Sequence, residues 1–594
     1  MEGAPRTLLV CVEGLDWRVL SPRIDAGRMP ALAALVERGV SGRVAPVDRA
    51  GGVPAWASVL TGASAMRHGV LSARVPGADG RTVRAAACGD RALPTIWERA
   101  SRAGHRVAVA GWGEPFAPAV GASVAIELAV PPWAEAIAGP ASAAEPVLAG
   151  LLRALAAAFE GEMRTTGAAC RERSWDLACV HVAGWAALVR EFVRFAPPAG
   201  PGVAAAHADA FGGVVDGACS ALDGWLGSLV RTAGEGAAVV VAGERGLDLE
   251  RWRAPASTAG PGAVHVAAHA PAAFVAVGPG MRPDSLRHGM VAVDVARITL
   301  AFRGIDGFAP PKDRGDVPLP AVPEGEVPAD VRALLQERDA AFAHAAAVAG
   351  AIEAAIAARS RMAARYPSDA ANVAELADLL VARGEAAAAL AAVDSCCAAW
   401  HASCGGPSGD AHAEPWPLAL AEARALLASD RSRDAAAAID RAASGGAPEV
   451  EVLLARASAA SSDEDHAASE RHARAAIAAA PSSREARMAL ARALFAQERF
   501  PDAAGAARDA IGLAWADPFA HLLLGTALAA DGRAREAIAA LEDCLRVRPE
   551  FPPALRRLAA VHMNQLGDVG SARALMARAV AAARPGPAPR APLP

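Results

Sequence analysis

Short runs of consecutive apolar residues alternate with stretches of helical periodicity through the first half of the chain. Residues 7–12, Thr-Leu-Leu-Val-Cys-Val, contain no charged side chain. Such a run predicts a strand buried on both faces, since neither side offers a polar surface to water. Similar runs at 106–110, 177–182, 237–242 and 274–277 predict four more strands. Residues 29–37, led by Pro30, together with 94–103 and 211–230, place apolar residues at helical spacing. Strands separated by helices predict an α/β fold, a doubly wound and mostly parallel sheet with helices on both faces. Ligands of such sheets bind at the carboxyl ends of the strands, here Glu13, Ala183, residues 243–245 and Gly278.

The pattern then changes. Residues 309–329 include Pro310, Pro311, Pro318, Pro320, Pro323 and Pro328, as a linker or surface strap would. Beyond Asp330 no strand is expected. Leu490-Ala491, Leu524-Gly525 and Leu558-Ala559 recur at steps of 34 residues, the period of paired-helix tetratricopeptide repeats. Gly532 marks a turn, and Ala537, Leu541 and Cys544 pack in the second helix of that unit. The unit from Pro552 is expected to carry one extra residue after Gly567, and an earlier unit uses Leu376, Ala377, Leu380, Gly384 and Ala389. The expected organisation is an α/β domain at 1–310, a Pro-rich linker at 311–329, an all-α solenoid at 330–584 and a disordered tail at 585–594. Solenoids of this kind bury their core by stacking and present a groove to a protein partner.

Composition narrows the classes. Of 594 residues, 53% are hydrophobic and 21% charged, so the chain can bury a large core. Lys and Arg number 59 against 64 Asp and Glu, giving a net charge of −5, which argues against a nucleic-acid binder. The longest apolar runs are too short to span a membrane. Residues 7–12 are too short for the core of a signal peptide, and Glu2 precedes them. A cytoplasmic protein is expected, and 9 sparse cysteines suit a reducing compartment. Cys396, Cys397, His401, Cys404 and His412 cluster without finger spacing, and Cys396 falls where the repeat wants a small packed residue. The segments 200–202 and 260–262 are Gly-Pro-Gly turns lacking the Lys and hydroxyl of a phosphate loop.

Several segments resemble the alkaline phosphatase superfamily, in its nucleotide pyrophosphatase/phosphodiesterase branch. They are Asp16-Trp17-Arg18-Val19-Leu20 with Gly27-Arg28-Met29-Pro30-Ala31-Leu32, and Trp56-Ala57-Ser58-Val59-Leu60-Thr61-Gly62 with His68-Gly69-Val70. Residues 93–98, Gly111-Trp112 and Val277-Gly278-Pro279-Gly280-Met281 add to them. The resemblance spans about 7–285, and some bacterial members of that branch carry a C-terminal tetratricopeptide array. It implies two divalent metals, usually zinc, held by Asp and His, and a Thr or Ser nucleophile. At the positions implied, this chain has Glu13 for a metal Asp, Gly52 for the nucleophile, Ala186 and Arg190 for an Asp/His pair, and Glu244-Arg245 for Asp-His. His269 alone is the residue expected.

Glycine has no group with which to attack phosphorus, and guanidinium has no lone pair for a metal. The expectation is therefore a degenerate site without resident metals, in which Arg190 and Arg245 offset Glu13 and Glu244 or hold a phosphorylated ligand without turning it over. The protein then acts as a structural or anion-sensing module whose solenoid recruits a protein partner. The alternatives are an active two-zinc phosphodiesterase with an altered site, a relocated site drawing on Ser41, Ser58, Thr61, Ser64, His181 or His265, and a heteromeric partner of an active paralogue.

Overall fold

The computed structural model describes the chain apart from residues 1–4, 47–51, 78–81, 114, 117–128, 173, 201, 248–269, 284, 306–328, 350, 405–414, 515–516, 549–550 and 584–594. It divides into two compact units, Met1–Leu335 and Gln336–Pro594. Residues 311–328 of the expected linker, the tail, His265, His269, His412 and the 260–262 turn lie outside the described residues.

The first unit is built on a seven-stranded sheet. In chain order the strands are β1 Thr7–Val12, β2 Val40–Ala45, β5 Val107–Ala110, β6 Leu177–Val182, β7 Ala238–Ala242, β8 Ala272–Val277 and β9 Ser285–Val291, while β3 Arg74–Pro76 and β4 Val83–Ala85 form a separate ribbon. The spatial order is β5-β6-β1-β7-β8-β2-β9. β5, β6, β1 and β7 run parallel. β8 is antiparallel to both β7 and β2, so the sheet is mixed on that side. β2 and β9 are absent from the sequence reading because Ser41, Gly42 and Arg43 interrupt one and Arg287 and His288 the other.

All residues of β1, β7 and β8 are buried, as the unbroken apolar runs demand. Alternation divides β1 between two cores. Leu8, Val10 and Val12 join one layer, packed by α1 Trp17–Asp25, α2 Pro30–Arg38, α6 Pro132–Ala141, α7 Pro146–Glu172, α8 Gly184–Phe192 and α10 Val214–Ala233. Leu9 and Cys11 join the other, packed by α3 Val53–Thr61, α5 Ile96–Arg102 and α11 Ala292–Ala301. Two short helices complete the unit, α4 Ala65–His68 and α9 Ala205–Phe211. The helix expected over 211–230 is α10, which begins at Val214 because Gly212-Gly213 separate it from α9, where Phe211 is the last residue, and glycine weakens a helix interior.

The second unit is helical. α12 Ala329–Ala349, whose first residues belong to the first unit, and α13 Ile352–Arg365 precede six antiparallel pairs among the described residues. These are α14 Ala370–Arg383 with α15 Ala386–Cys404, α16 Trp416–Leu427 with α17 Ser432–Ser444, and α18 Glu449–Ser462 with α19 His466–Ala479. They continue as α20 Arg484–Ala496 with α21 Phe500–Leu513, α22 Pro518–Ala530 with α23 Ala534–Val547, and α24 Pro552–Gln565 with α25 Val569–Ala583. Gly525 shows why small residues recur at the contacts: a Cβ there would lie 2.6 Å from Leu541 Cγ. Asp430, Glu464, Glu498 and Gly532 occupy the same turn at 34-residue steps, all with positive φ. Gly567 follows Gly532 by 35 residues. The extra residue of the last unit therefore lies before Gly567, where α24 runs one residue further than α22, and not after it.

Candidate functional site

The carboxyl ends of β1, β6 and β7 bring Glu13, Ala186, Arg190, Glu244 and Arg245 into one region. Glu13 continues β1, its N–H donating to the Val182 carbonyl at 3.0 Å. Burial raises its carboxyl above the usual range; Arg190 and Arg245 pull it back down, and Glu162 pushes it up. Glu244 leaves β7 at 1% exposure. Burial and then the charge of Glu13 push its carboxyl up to about 8, against the pull of Arg245. The Gly14 N–H donates to Glu244 Oε2 at 3.4 Å. Arg245 is 3% exposed. Arg190 and Arg245 thus act on the half-buried Glu13, and Arg245 acts also on the buried Glu244.

Apolar atoms fill the space beside them. Ala186 lies on α8 and is buried, as is Leu247. A Cβ on Gly14 would stand 2.6 Å from Leu247 Cδ2 and 3.1 Å from Ala186 Cβ. The loop carrying Glu244 and Arg245 is fixed by Asp16, the N-cap of α1. Its Oδ2 accepts from Leu247 N–H at 2.9 Å and pairs with Arg18 at 2.7 Å, and Arg18 also donates to the Leu247 carbonyl. Gly246 has to be glycine here, because a Cβ would meet Pro271 O at 2.5 Å and Asp16 Oδ2 at 2.6 Å.

Gly52 caps α3 with φ 64° and ψ −125°. This backbone conformation suits glycine and strains L-residues, although a Cβ would meet no atom within 4 Å. The hydroxyls nearby are engaged inside the fold. Thr61 Oγ1 donates to the Ala57 carbonyl at 2.6 Å. Ser58 Oγ lies 3.0 Å from His68 Nε2, while His68 Nδ1 accepts the Val70 N–H at 3.1 Å. With Nδ1 accepting, Nε2 carries the proton of the neutral ring and donates to Ser58. Burial, then Arg91, lowers His68 to about 3. This imidazole is no base toward Ser58. Ser41 lies on β2, and Ser64 precedes α4.

His181 also points into the core. Its Nδ1 is 3.1 Å from the Gly111 carbonyl, its ring stacks on Trp112 at 4.4 Å, and burial lowers it to about 4. In the helical unit Cys396 is buried in an apolar cluster. Among the described residues no group of three His, Cys, Asp or Glu side chains is placed to hold a metal ion. The donors present do not fit a two-zinc centre, since three of the six implied positions are Ala186, Arg190 and Arg245.

Sequence reasoning missed Glu162. From the middle of α7 its Oε2 accepts the N–H groups of Ala183 at 2.9 Å and Gly184 at 2.8 Å. It thereby caps α8, the helix carrying Ala186 and Arg190. Gly184 permits the approach, since a Cβ there would lie 2.8 Å from Phe159 Cα. Nothing local marks Glu162; only the packing of α7 on β6 brings it to the strand ends.

Residues 7–253 match the family of type I phosphodiesterases and nucleotide pyrophosphatases. Residues 454–518 and 528–591 each match tetratricopeptide repeat families. The chain thus joins a phosphodiesterase-like domain to tetratricopeptide repeats, modules of protein interaction. No curated protein is significantly similar to it. Among solved structures, a thermophilic tetratricopeptide protein of Thermus thermophilus is 21% identical over 28% of this chain and 91% of its own, with a TM-score of 0.26. MamA from Desulfovibrio magneticus is 17% identical over 29% and 97%, with a TM-score of 0.25. YrrB, a tetratricopeptide protein with an unusual peptide-binding site, is 15% identical over 33% and 95%, with a TM-score of 0.21. No helix among the described residues is long and apolar enough to cross a membrane.

Proposed function

We propose that the phosphodiesterase-like domain is a pseudoenzyme, a non-catalytic scaffold, and that the repeats recruit a protein partner along their groove. One observation carries this reading: Gly52, which the family resemblance puts at the nucleophile position, has no side chain and holds a conformation that suits glycine. In place of two divalent cations, Arg190 and Arg245 supply positive charge to Glu13 and Glu244. Two metals would bring about +4 and need anionic or neutral donors, whereas guanidinium groups bring charge without any lone pair. Leu247 and Ala186 bring carbon against Gly14, beside the two carboxyl groups. A phosphorylated ligand bound through the two arginines without turnover belongs to the same reading.

The test is metal content and turnover on the full chain. Protein purified without chelator and dialysed against zinc is expected to hold below about a tenth of an equivalent by plasma mass spectrometry. It is expected to leave bis(p-nitrophenyl) phosphate unhydrolysed. Two tightly held zinc ions with turnover would replace this reading by an active metal-dependent phosphodiesterase with an altered site.

A further inference from the structure

The last helix of the solenoid has two apolar faces. Ala572 and Ala579 are buried on one. Val569, Met576 and Val580 form the other, following one another by seven and four residues, a spacing that keeps them on one side of a helix. Their exposures are 43%, 42% and 55%, and Met576, Ala577, Val580 and Ala581 line one open hollow.

The preceding unit shows what this face is for. Aligning α25 with α23 places Ala572 on Ala537, Met576 on Leu541, Ala579 on Cys544 and Val580 on Leu545. In α23, Leu541 is 0% exposed, packed on Gly525 of its own pair and enclosed on the other side by α24, with Ala554 and Leu558 in the same cluster. Met576 and Val580 therefore stand where a stacking helix belongs. A solenoid face that meets water is normally polar, and this one carries Met576 and Val580.

Charge selects among occupants. Residues 552–583 contain Arg556, Arg557, Arg573 and Arg578 against Asp568 alone. A second copy stacking end to end would bring the same positive hairpin, and like charges brought together oppose association. An acidic helix meets no such opposition.

We propose that the outer face of α25 docks an amphipathic helix with acidic flanks from another protein, stacking on Met576 and Val580 as α24 stacks on Leu541 and Leu545. This rests on reading the repeats as a recruitment surface and is independent of the state of the phosphodiesterase-like site, so a zinc-loaded, active enzyme would leave it standing.

The probe is a fluorescein-labelled peptide of residues 551–565 with Arg556→Glu and Arg557→Glu, titrated with the full chain and read by anisotropy. Saturable binding at least about tenfold tighter than that of the unaltered peptide is expected. Met576→Asp with Val580→Asp should abolish it at unchanged melting temperature, and Arg573→Glu with Arg578→Glu should reverse the preference between the peptides. Should the double Asp variant fail to fold, Val580→Ser alone is expected to weaken binding. Equal affinity for both peptides, or binding indifferent to Met576 and Val580, overturns the proposal. So does a dimer in light scattering that Met576→Asp dissolves, or binding to phosphatidylglycerol vesicles without peptide binding.

Discussion

His68 Nε2 stands 3.0 Å from the Ser58 hydroxyl and donates to it, because His68 Nδ1 is occupied by the Val70 N–H. The pair has the members of a nucleophile–base couple and the opposite polarity. Ser58→Ala is expected to cost about 1 kcal/mol of stability and to change no hydrolytic activity. Chemical denaturation and a phosphodiester assay check the two halves.

The same imidazole sets a pH dependence. His68 has an ordinary value of 6.5 and is lowered to about 3 by burial and Arg91. Between those values the unfolded chain binds a proton that the folded chain refuses. Its contribution is therefore complete above about pH 6.5 and is lost as pH falls toward 3, at up to about 1.4 kcal/mol per pH unit. His181, lowered to about 4 by burial, adds to the same limb. His68→Gln keeps a donor and an acceptor but cannot titrate. Its stability between pH 6 and 4, from urea denaturation, should fall less steeply than that of the parent; parallel slopes would assign the limb elsewhere.

Arg245 and Glu244 form the buried centre of the strand-end cluster. Measured at about pH 9, where the Glu244 carboxyl, pushed up to about 8, is ionised, Arg245→Met strips it of a compensating charge and is expected to cost about 3–5 kcal/mol. Adding Glu244→Gln should recover a substantial part, giving a coupling energy above about 1 kcal/mol in a double-mutant cycle. Strict additivity would show that the two groups do not offset each other.

A hydroxyl placed at residue 52, where the family resemblance expects the nucleophile, should not by itself produce turnover. Gly52→Ser places an L-residue at φ 64° and is expected to cost about 1–2 kcal/mol without phosphodiester turnover. Turnover in this variant with added zinc would mean that a metal pair assembles after all.

The repeat turns offer changes of opposite sign. Asp430, Glu464 and Glu498 hold φ of 56°, 59° and 59°, while Gly532 fills the equivalent turn at 79°. Glu498→Gly should stabilise the helical unit by about 1 kcal/mol. Gly525→Ala should destabilise it by about 1–3 kcal/mol, since its Cβ would stand 2.6 Å from Leu541 Cγ and 3.2 Å from the Ala537 carbonyl. Thermal melts of both variants read the difference.

Much of this architecture is local and therefore legible in the chain. The unbroken apolar runs at β1, β7 and β8 read as strands covered on both faces, and the 34-residue recurrence of small residues reads as paired helices that approach closely. The identities of Gly52, Arg190 and Arg245 likewise exclude, by their chemistry alone, a hydroxyl nucleophile and two metal donors at the positions the family resemblance assigns.

Tertiary packing decided the rest. Polar residues in β2 and β9 hide two strands whose neighbours supply the missing context. Glu162 reaches the strand ends only because Gly184 lets α7 close on the entry to α8. Whether His68 is a base or a donor depended on the Val70 N–H, and no spacing of Ser and His encodes that. Met576 and Leu541 are equivalent apolar residues in the repeat, yet Leu541 is buried and Met576 exposed, because exposure is set by the neighbouring helices and not by the residue.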